Sequence, residues 1–411
     1  MYASTRISES AFADIMGVSK RTLNTWKANG KYKYYQDIDG IGYFLMHELI
    51  DVPEIKEMAE SSWDIEMQIK PLRPYTSIEL FAGAGGLALG MDMAGFNHVM
   101  LNKWNADACQ TLRYNKPDWN VVEGDIHNIS FSHYQNKVDL LTGGFPCQAF
   151  SYAGNKGGFE DTRGTLFFEL ARAVKEINPK VFLCENVRGL ATHDNGRTLK
   201  VIRNTIAELG YSLVEPRVLQ TIKYQVPQKR ERLIMVAIRN DIADKVTFKW
   251  PAPYHRIMTL RDALYAGELY DTDVPKSDGQ KYPEKKRRVM EMVPMGGYWR
   301  DLPPAIQKEY MAGSYALEGG KTGMARRLSL DEPSLTLTCA PAQKQTERCH
   351  PLETRPLTVR EYARIQTFPD KWQFAGNLTS QYKQIGNAVP VNLAYAIGRA
   401  LIRLFNDIEL I

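Results

Sequence analysis

The chain is expected to fold as an α/β protein around a doubly wound, mostly parallel sheet. A smaller irregular domain and a small N-terminal helical domain complete it. Three observations carry this expectation. From Tyr75 onward, short apolar runs alternate with amphipathic stretches. Tyr75–Leu80, His98–Leu101, Val138–Thr142 and Lys180–Cys184 read as strands, Leu166–Ile177 and Thr198–Leu209 as helices between them, and residues 211–238 as two further strands. A Gly-rich turn, Phe81-Ala-Gly-Ala-Gly-Gly-Leu-Ala88, follows the first strand and opens a helix near Gly86. Residues 251–350, by contrast, are rich in Pro and Gly and poorly periodic, while 357–368 and 388–405 return to helical patterns.

The first 70 residues form a separate unit. Ala11, Phe12, Ile15 and Met16 have helical spacing, Gly17-Val18 breaks that helix, and Ser19 is a good N-cap for a second one, Lys20–Asn29. Leu23 and Trp26 share one face; Lys20, Arg21, Thr22, Asn24, Thr25 and Lys27 are left for the other. This pattern fits a helix-turn-helix whose second helix presents polar and basic residues to a DNA groove, with Lys20 and Arg21 as contact candidates. A helical hairpin with a solvated charged face is the alternative. Residues 51–74, with Pro53, Pro71 and Pro74, read as a helix plus linker.

Composition narrows the classes. The 411 residues leave room for two to four domains at roughly 100–200 residues each. Hydrophobic residues at 44% and charged residues at 24% exclude wholesale disorder. The longest strand-like apolar run, Leu233–Ile238, falls far short of the roughly 18 residues of a membrane span, and Met1–Ser10 lacks a secretory pattern. Five cysteines, at 109, 147, 184, 339 and 349, are scattered without C-x-x-C spacing. That argues against a disulfide scaffold and a Cys-based zinc site, and leaves room for a reactive thiol. A cytoplasmic protein without membrane or metal is expected. Net charge is +5 overall, but residues 1–35 carry six basic and two acidic side chains and residues 36–70 two and nine. A basic patch joined to an acidic connector points to phosphate contact.

Four motifs carry chemistry. Gly83, Gly85 and Ala88 fit the G-x-G-x-x-G/A spacing that lets a nucleotide-like ligand approach the backbone at a helix N-terminus. The spacing leaves open whether that ligand is a dinucleotide or S-adenosylmethionine. Trp104 could stack on an adenine, while Lys103 stands where a ribose-binding carboxylate is expected. Cys147, in Gly143-Gly-Phe-Pro-Cys-Gln-Ala-Phe-Ser151, follows a strand and precedes a Gly-rich stretch, the setting of a nucleophile on a loop. Cys184, inside an apolar run, reads as a buried structural thiol. Glu185, in Glu-Asn-Val187, would face the same crevice, with a carboxyl whose pKa burial should raise. In Gln228-Lys-Arg-Glu-Arg232, alternation puts Gln228, Arg230 and Arg232 on one face, suited to a phosphate or a base carbonyl. Taken singly, each has a structural alternative: a plain turn, a buried thiol, a helix-capping carboxylate, a charged edge strand.

Together and in this order they form one set. From about Tyr75 to the C-terminus the chain resembles the bacterial C5-specific DNA cytosine methyltransferases of type II restriction–modification systems. The matching segments are Glu79–Gly86, Gly124–Ile126, Gly143–Ser151, Gly158–Phe168, Glu185–Val187, Gln225–Arg232, Arg355–Arg364 and Gln384–Pro390. The resemblance implies the S-adenosylmethionine-dependent methyltransferase fold. It also implies a catalytic and cofactor-binding domain at 75–250 completed by 375–411, a target-recognition domain and hinge at 251–374, and a helix-turn-helix domain with linker at 1–70. Catalysis would fall to Cys147, attacking C6 of a flipped cytosine, with Glu185 on N3 and the amino group, Arg232 on O2 and Arg230 in support. Phe81, Gly83, Gly85, Gly86, Trp104, Asp125, Ile126, Phe145, Pro146 and Asn387 would line the S-adenosylmethionine site and pocket. Gln148, Ser151, Arg163 and Thr338 would meet DNA phosphates, the loop Gln148–Arg163 closing over the base. Lys103 departs from the family's usual Glu, which implies weaker or rearranged cofactor binding unless Asn102, Asn105 or Asp107 compensates. Lys285–Arg288 is a further phosphate-contact candidate or a solvated charge run. Implied partners are double-stranded DNA, operator DNA for the N-terminal domain and a cognate restriction endonuclease, with the chain acting as a monomer. An NAD-dependent oxidoreductase would explain the Gly loop alone, and a pure DNA-binding regulator the first 50 residues alone. An RNA cytosine methyltransferase would suit a more compact recognition region than this one.

Overall fold

The computed structural model describes residues 5–38, 40–145, 166–317 and 319–411. At the N-terminus, β1 (Arg6–Ser8), α1 (Glu9–Ile15), α2 (Lys20–Ala28), β2 (Tyr35–Gln36) and β3 (Gly42–Leu45) form a helix pair on a three-stranded antiparallel sheet ordered β1-β3-β2. Ser8 and Ser19 cap the two helices, accepting from the N–H groups of Ala11 at 3.2 Å and Thr22 at 3.1 Å. Gly17, at φ 63°, makes the turn between them. Phe12, Leu23, Phe44, Leu49 and Ile55 bury the core. The helices follow the expected boundaries; the sheet was not expected, because strands of two to four residues leave no alternation to read.

This unit does not stand apart. α3 (Pro53–Ala59) and α4 (Trp63–Glu66) fold the acidic connector against the rest of the chain, where Glu66 pairs with Arg403 at 2.8 Å. Ile222 lies buried in the N-terminal core, and Gln220 Nε2 donates to the Asp14 carbonyl at 2.9 Å.

The central sheet comprises β4 (Tyr75–Leu80), β5 (Phe96–Lys103), β6 (Val121–Glu123), β7 (Leu140–Gly144), β8 (Val181–Val187), β9 (Tyr211–Leu213), β10 (Arg217–Gln220) and β12 (Glu231–Arg239). The two-residue β11 (Gln228–Lys229) pairs instead with β13 (Ser334–Leu335). Strand order is β10-β12-β8-β7-β4-β5-β6; β4 to β8 run parallel, β12 is antiparallel to β8, and β9 and β10 are antiparallel to β12. The chain winds outward from β4 through β5 and β6, then returns to β7 and β8. The strand order therefore reverses between β4 and β7, where a ligand crevice opens at the carboxyl ends.

Both faces of the sheet are covered. α7 (Leu166–Ile177) and α8 (Arg197–Glu208) pack on one, joining Ile78, Leu80, Leu141 and Phe182. The helix Val391–Glu409 and α5 (Gly86–Ala94) cover the other, with Leu393, Ile397, Leu401 and Phe405 recurring every four residues against Tyr75 and Leu183. α5 approaches that helix through glycines: a Cβ on Gly86 would collide with the Val389 carbonyl, and one on Gly90 with Ala394. By length and composition the stretch Leu378–Glu409 could cross a membrane, contrary to expectation, but 83% of its apolar window is buried inside the protein, as a core helix requires.

Residues 282–349 carry a core of their own around Met290, Trp299, Met311, Met324 and Cys349. Leu260, Leu264, Leu357, Tyr362, Ile365 and Trp372 pack instead with Ala84, Ala88 and Leu112, between that core and the sheet. Lys285–Arg288 lies on the helix Glu284–Glu291. Lys285 pairs with Glu309, Lys286 with Glu347, and Arg287 and Arg288 with Glu284, so the run is neutralised by its neighbours rather than held out for phosphate.

Candidate active site

Glu185 and Arg232 meet at the crevice. β8 continues through Val187 rather than ending at Cys184, because β12 pairs along it from Val187↔Arg232 to Val181↔Ile238. Arg232 Nε lies 2.6 Å from Glu185 Oε1, with side-chain exposures of 10% and 12%. Burial pushes the Glu185 carboxyl above the usual carboxylate range, opposed by Arg232 and Arg230. Burial likewise holds the Arg232 guanidinium below its usual value. Gly144 of β7 lies opposite Glu185, and a Cβ there would come within 2.8 Å of Oε2, so only glycine leaves the carboxyl its place. Cys184 is buried in the strand with its thiol pushed up by burial, as its setting suggested.

A second carboxyl stands close by. Glu79, on β4, is buried and accepts from Thr142 Oγ1 at 3.4 Å. Burial raises its pKa well above the usual value, with the Glu185 charge adding to the effect. The sequence reading placed Glu79 within a motif without a role; a lone carboxylate in an apolar strand was the available signal.

Asn186 was also missed. Its Nδ2 donates to the Phe145 carbonyl at 2.7 Å, and its Oδ1 accepts from the Val187 N–H at 2.9 Å. It thereby holds the chain where it enters residues 146–165. Phe145 is buried, its ring centroid 5.4 Å from that of Phe167. Pro146, Cys147, Gln148, Ser151 and Arg163 lie outside the described residues.

Gln228 and Arg230 form a buried polar junction. Arg230 donates to the Leu337 carbonyl at 3.2 Å and the Gly386 carbonyl at 2.8 Å. Gln228 Oε1 accepts from the Leu337 N–H at 2.9 Å, and Nε2 donates to Gln366 Oε1 at 2.8 Å. Three segments distant in sequence are thus tied behind Arg232. Beside them Cys339 Sγ donates to Asn387 Oδ1 at 3.3 Å. Thr338, half-buried, donates to the Ala340 carbonyl at 3.2 Å.

On the other side of the crevice lies the Gly loop. Phe81 and Gly83 adopt positive φ, 60° and 57°. A Cβ on Gly83 would meet only the Phe81 carbonyl, at 3.9 Å, so a ligand can approach the backbone there. Gly85 instead faces inward, where a Cβ would come within 2.7 Å of Leu112 and 2.9 Å of Trp372. α5 starts without a side-chain cap, the arrangement that suits an anionic ligand group. Trp104 is 71% exposed at the rim. Asp125 is exposed and bound to His127 at 2.6 Å; Ile126 is buried, its carbonyl accepting from Arg172 at 2.8 Å. Lys103 ends β5 half-buried, its ammonium held below the usual value by burial with Lys383 adding to the effect. The three side chains named as compensators are engaged elsewhere. Asn102 Nδ2 donates to the Val122 and Gly124 carbonyls, Asn105 caps α6 (Ala106–Asn115), and Asp107 accepts from Ser380 Oγ at 2.5 Å.

Lys20 and Arg21 lie exposed on α2. Among the described residues, no group of His, Cys, Asp and Glu is placed to hold a metal ion.

A sheet whose order reverses beside a Gly loop, with a buried Glu–Arg pair on the strands next to it, is the architecture of an α/β enzyme with its crevice at the carboxyl ends of the strands. Residues 75–403 match the C-5 cytosine-specific DNA methylase family, and the chain belongs to it: it is a DNA (cytosine-5) methyltransferase. It is 62% identical to the Type II methyltransferase M.Eco47II of Escherichia coli, over 98% of this chain and 96% of that one. It is 58% identical to the Type II methyltransferase M.PspPI of Psychrobacter sp. (strain TA137), over 98% of both chains. Among solved structures, a DNA modification methyltransferase encoded within an E. coli prophage matches 81% of this chain and 99% of its own, with a TM-score of 0.58 and 24% identity, a likeness of fold.

Proposed function

We propose that the chain methylates C5 of one cytosine within a short duplex sequence, and so protects DNA from a cognate restriction endonuclease. The observation that carries this reading is the buried Glu185–Arg232 pair on β8 and β12, next to β7, whose end leads into residues 146–165.

The chemistry follows from these groups. A cytosine inside the stack is out of reach, so the base is flipped into the crevice. The Cys147 thiolate adds to C6, giving C5 the nucleophilic character of an enamine. Glu185, its pKa raised by burial, hydrogen-bonds N3 and the exocyclic amine and stabilises the charge developing on the ring. Arg232 orients that carboxyl and donates to O2, while Arg230 fixes the recognition segment behind both. Gly83, Trp104 and Asp125 would hold S-adenosylmethionine, Trp104 contributing a stacking face for adenine and Asp125 an acceptor for its amino group, and the cofactor would supply the methyl group. After transfer, the C5 proton is lost to a base, Cys147 leaves from C6, and 5-methylcytosine is released. Phe145, Pro146 and Asn387 close the pocket, and Gln148, Ser151, Arg163 and Thr338 meet phosphates. The helix pair α1–α2 is a second DNA contact, to an operator or to the target duplex.

Bisulfite sequencing of plasmid DNA incubated with the protein and S-adenosylmethionine tests this, with Cys147→Ala as control. Protection of cytosines in one short motif, lost in the control, is expected. Absence of protection at saturating cofactor would overturn it.

A further inference from the structure

We propose that the N-terminal helix pair grips the same duplex that enters the catalytic crevice, on the flank of the target cytosine, as a second DNA site fixed to the enzyme. This rests on duplex DNA being the substrate.

The face is built for phosphate and base-edge contact. Lys20, Arg21, Asn24 and Thr25 are exposed on α2, while Leu23 is buried beneath them. Lys27, on the same helix, is tied to Glu9 at 2.8 Å, whereas neither Lys20 nor Arg21 forms an ion pair among the described residues. Two cations left out in solution beside short amide and hydroxyl side chains are complementary to a nucleic-acid backbone.

The attachment decides which DNA this face meets. Lys229 Nζ, on β11, lies 2.7 Å from Asp14 Oδ2 of α1, 3.5 Å from Glu332 Oε2 and also against Ser10 Oγ, so one cation joins the helix pair to β11 and the recognition segment. Lys20 is near enough to Asp14 for its charge to oppose the burial that pushes the Asp14 carboxyl up. The start of α2 therefore lies beside β11, which leads through Arg230 to Arg232. Three residues at about 3.3 Å each separate Lys229 from Arg232, about 10 Å in all. One turn of duplex covers about 34 Å. A duplex presenting its cytosine to Glu185 and Arg232 thus has flanking phosphates within a turn of this helix. A module made to seek a separate operator would gain from a loose tether. Here the connector is folded into α3 and α4 and pinned by Glu66–Arg403, and Ile222 is buried in the module's own core.

The test uses the full chain on a duplex carrying its own methylation site, mapped by bisulfite sequencing. Hydroxyl-radical footprinting should show protection extending along one flank, and Lys20→Ala/Arg21→Ala should lose that extension. The slope of log K against log salt should fall by about two, one for each phosphate contact removed. The kinetic cost should fall on KM for DNA, and Arg21→Glu should deepen it. A variant with the wild-type melting midpoint but an unchanged footprint and slope would overturn the proposal. So would wild-type binding of a second duplex lacking the site, through the same residues, while the first is held. If bisulfite sequencing maps no methylated site for the wild-type chain, the substrate reading fails instead.

Discussion

Arg232 Nε sits 2.6 Å from Glu185 Oε1 across two antiparallel strands, in a pocket that leaves each side chain about a tenth exposed. Breaking a buried pair from one side costs about 3–5 kcal/mol, because the remaining charge has lost its partner. Arg232→Ala is therefore expected to lower the melting midpoint and abolish methyl transfer. Its stability should also become more sensitive to pH. Without Arg232 the folded pKa of Glu185 rises further. The stability tied to that carboxyl is then fully present below its unfolded pKa and lost as pH rises through the folded value. Melts at pH 6 and pH 8 check this; an equal loss at both would refute it.

Glu79 makes the complementary case. Its folded pKa lies well above the usual value through burial, so folding favours the neutral form. Wild-type stability should fall as pH rises from the unfolded pKa through the folded one, by about 1.4 kcal/mol per pH unit in that window. Glu79→Gln keeps the shape and removes the titration. Its melting midpoint should match wild type near pH 5 and exceed it increasingly towards pH 9. A gap that narrows with pH would contradict the burial account.

Lys103→Glu should tighten S-adenosylmethionine. Asn102, Asn105 and Asp107 are committed to other partners, so none of them replaces a ribose-binding carboxylate. A charge-assisted hydrogen bond gained is worth about 1.5–3 kcal/mol, or about tenfold or more in Kd. Calorimetric titration of both proteins decides it, and equal affinities would refute it.

Asn186→Ala removes one donor to the Phe145 carbonyl at the entrance to residues 146–165. We expect kcat to fall by about an order of magnitude, from about 1–3 kcal/mol of lost positioning, with S-adenosylmethionine affinity unchanged. Asn186→Asp should be no better, since an ionised carboxylate cannot donate. Restored activity in the Asp variant would argue against the role.

Two glycines of one loop should fail differently. Gly86→Ala drives a methyl into the Val389 carbonyl, an overpacking cost of about 1–3 kcal/mol or more, read as a lowered melting midpoint. Gly83→Ala has room for its methyl apart from a left-handed backbone cost of about 1 kcal/mol, so its larger effect should be on S-adenosylmethionine binding. Identical behaviour of the two would show that Gly83 is structural as well.

Much of this architecture was legible in the residues. β4 and α7 fall on the expected spans, Tyr75–Leu80 and Leu166–Ile177. Buried parallel strands are short apolar runs and their covering helices are amphipathic, so local pattern alone marks both. The cap Ser19 acts within three residues of itself, so α2 could be placed from sequence, whereas the Ser8 cap of α1 emerged only in the structure. The motif residues were likewise visible, since their side chains are out of keeping with the apolar or glycine-rich segments around them. Pairings between segments distant in the chain were not visible. Glu185 meets Arg232 only because β12 turns antiparallel onto β8, and Arg230 finds its acceptors in Leu337 and Gly386. The N-terminal sheet, the docking of Asp14 onto Lys229 and the neutralisation of Lys285–Arg288 have the same origin. No periodicity encodes which distant carboxylate a lysine will meet; the packing of the folded chain selects it.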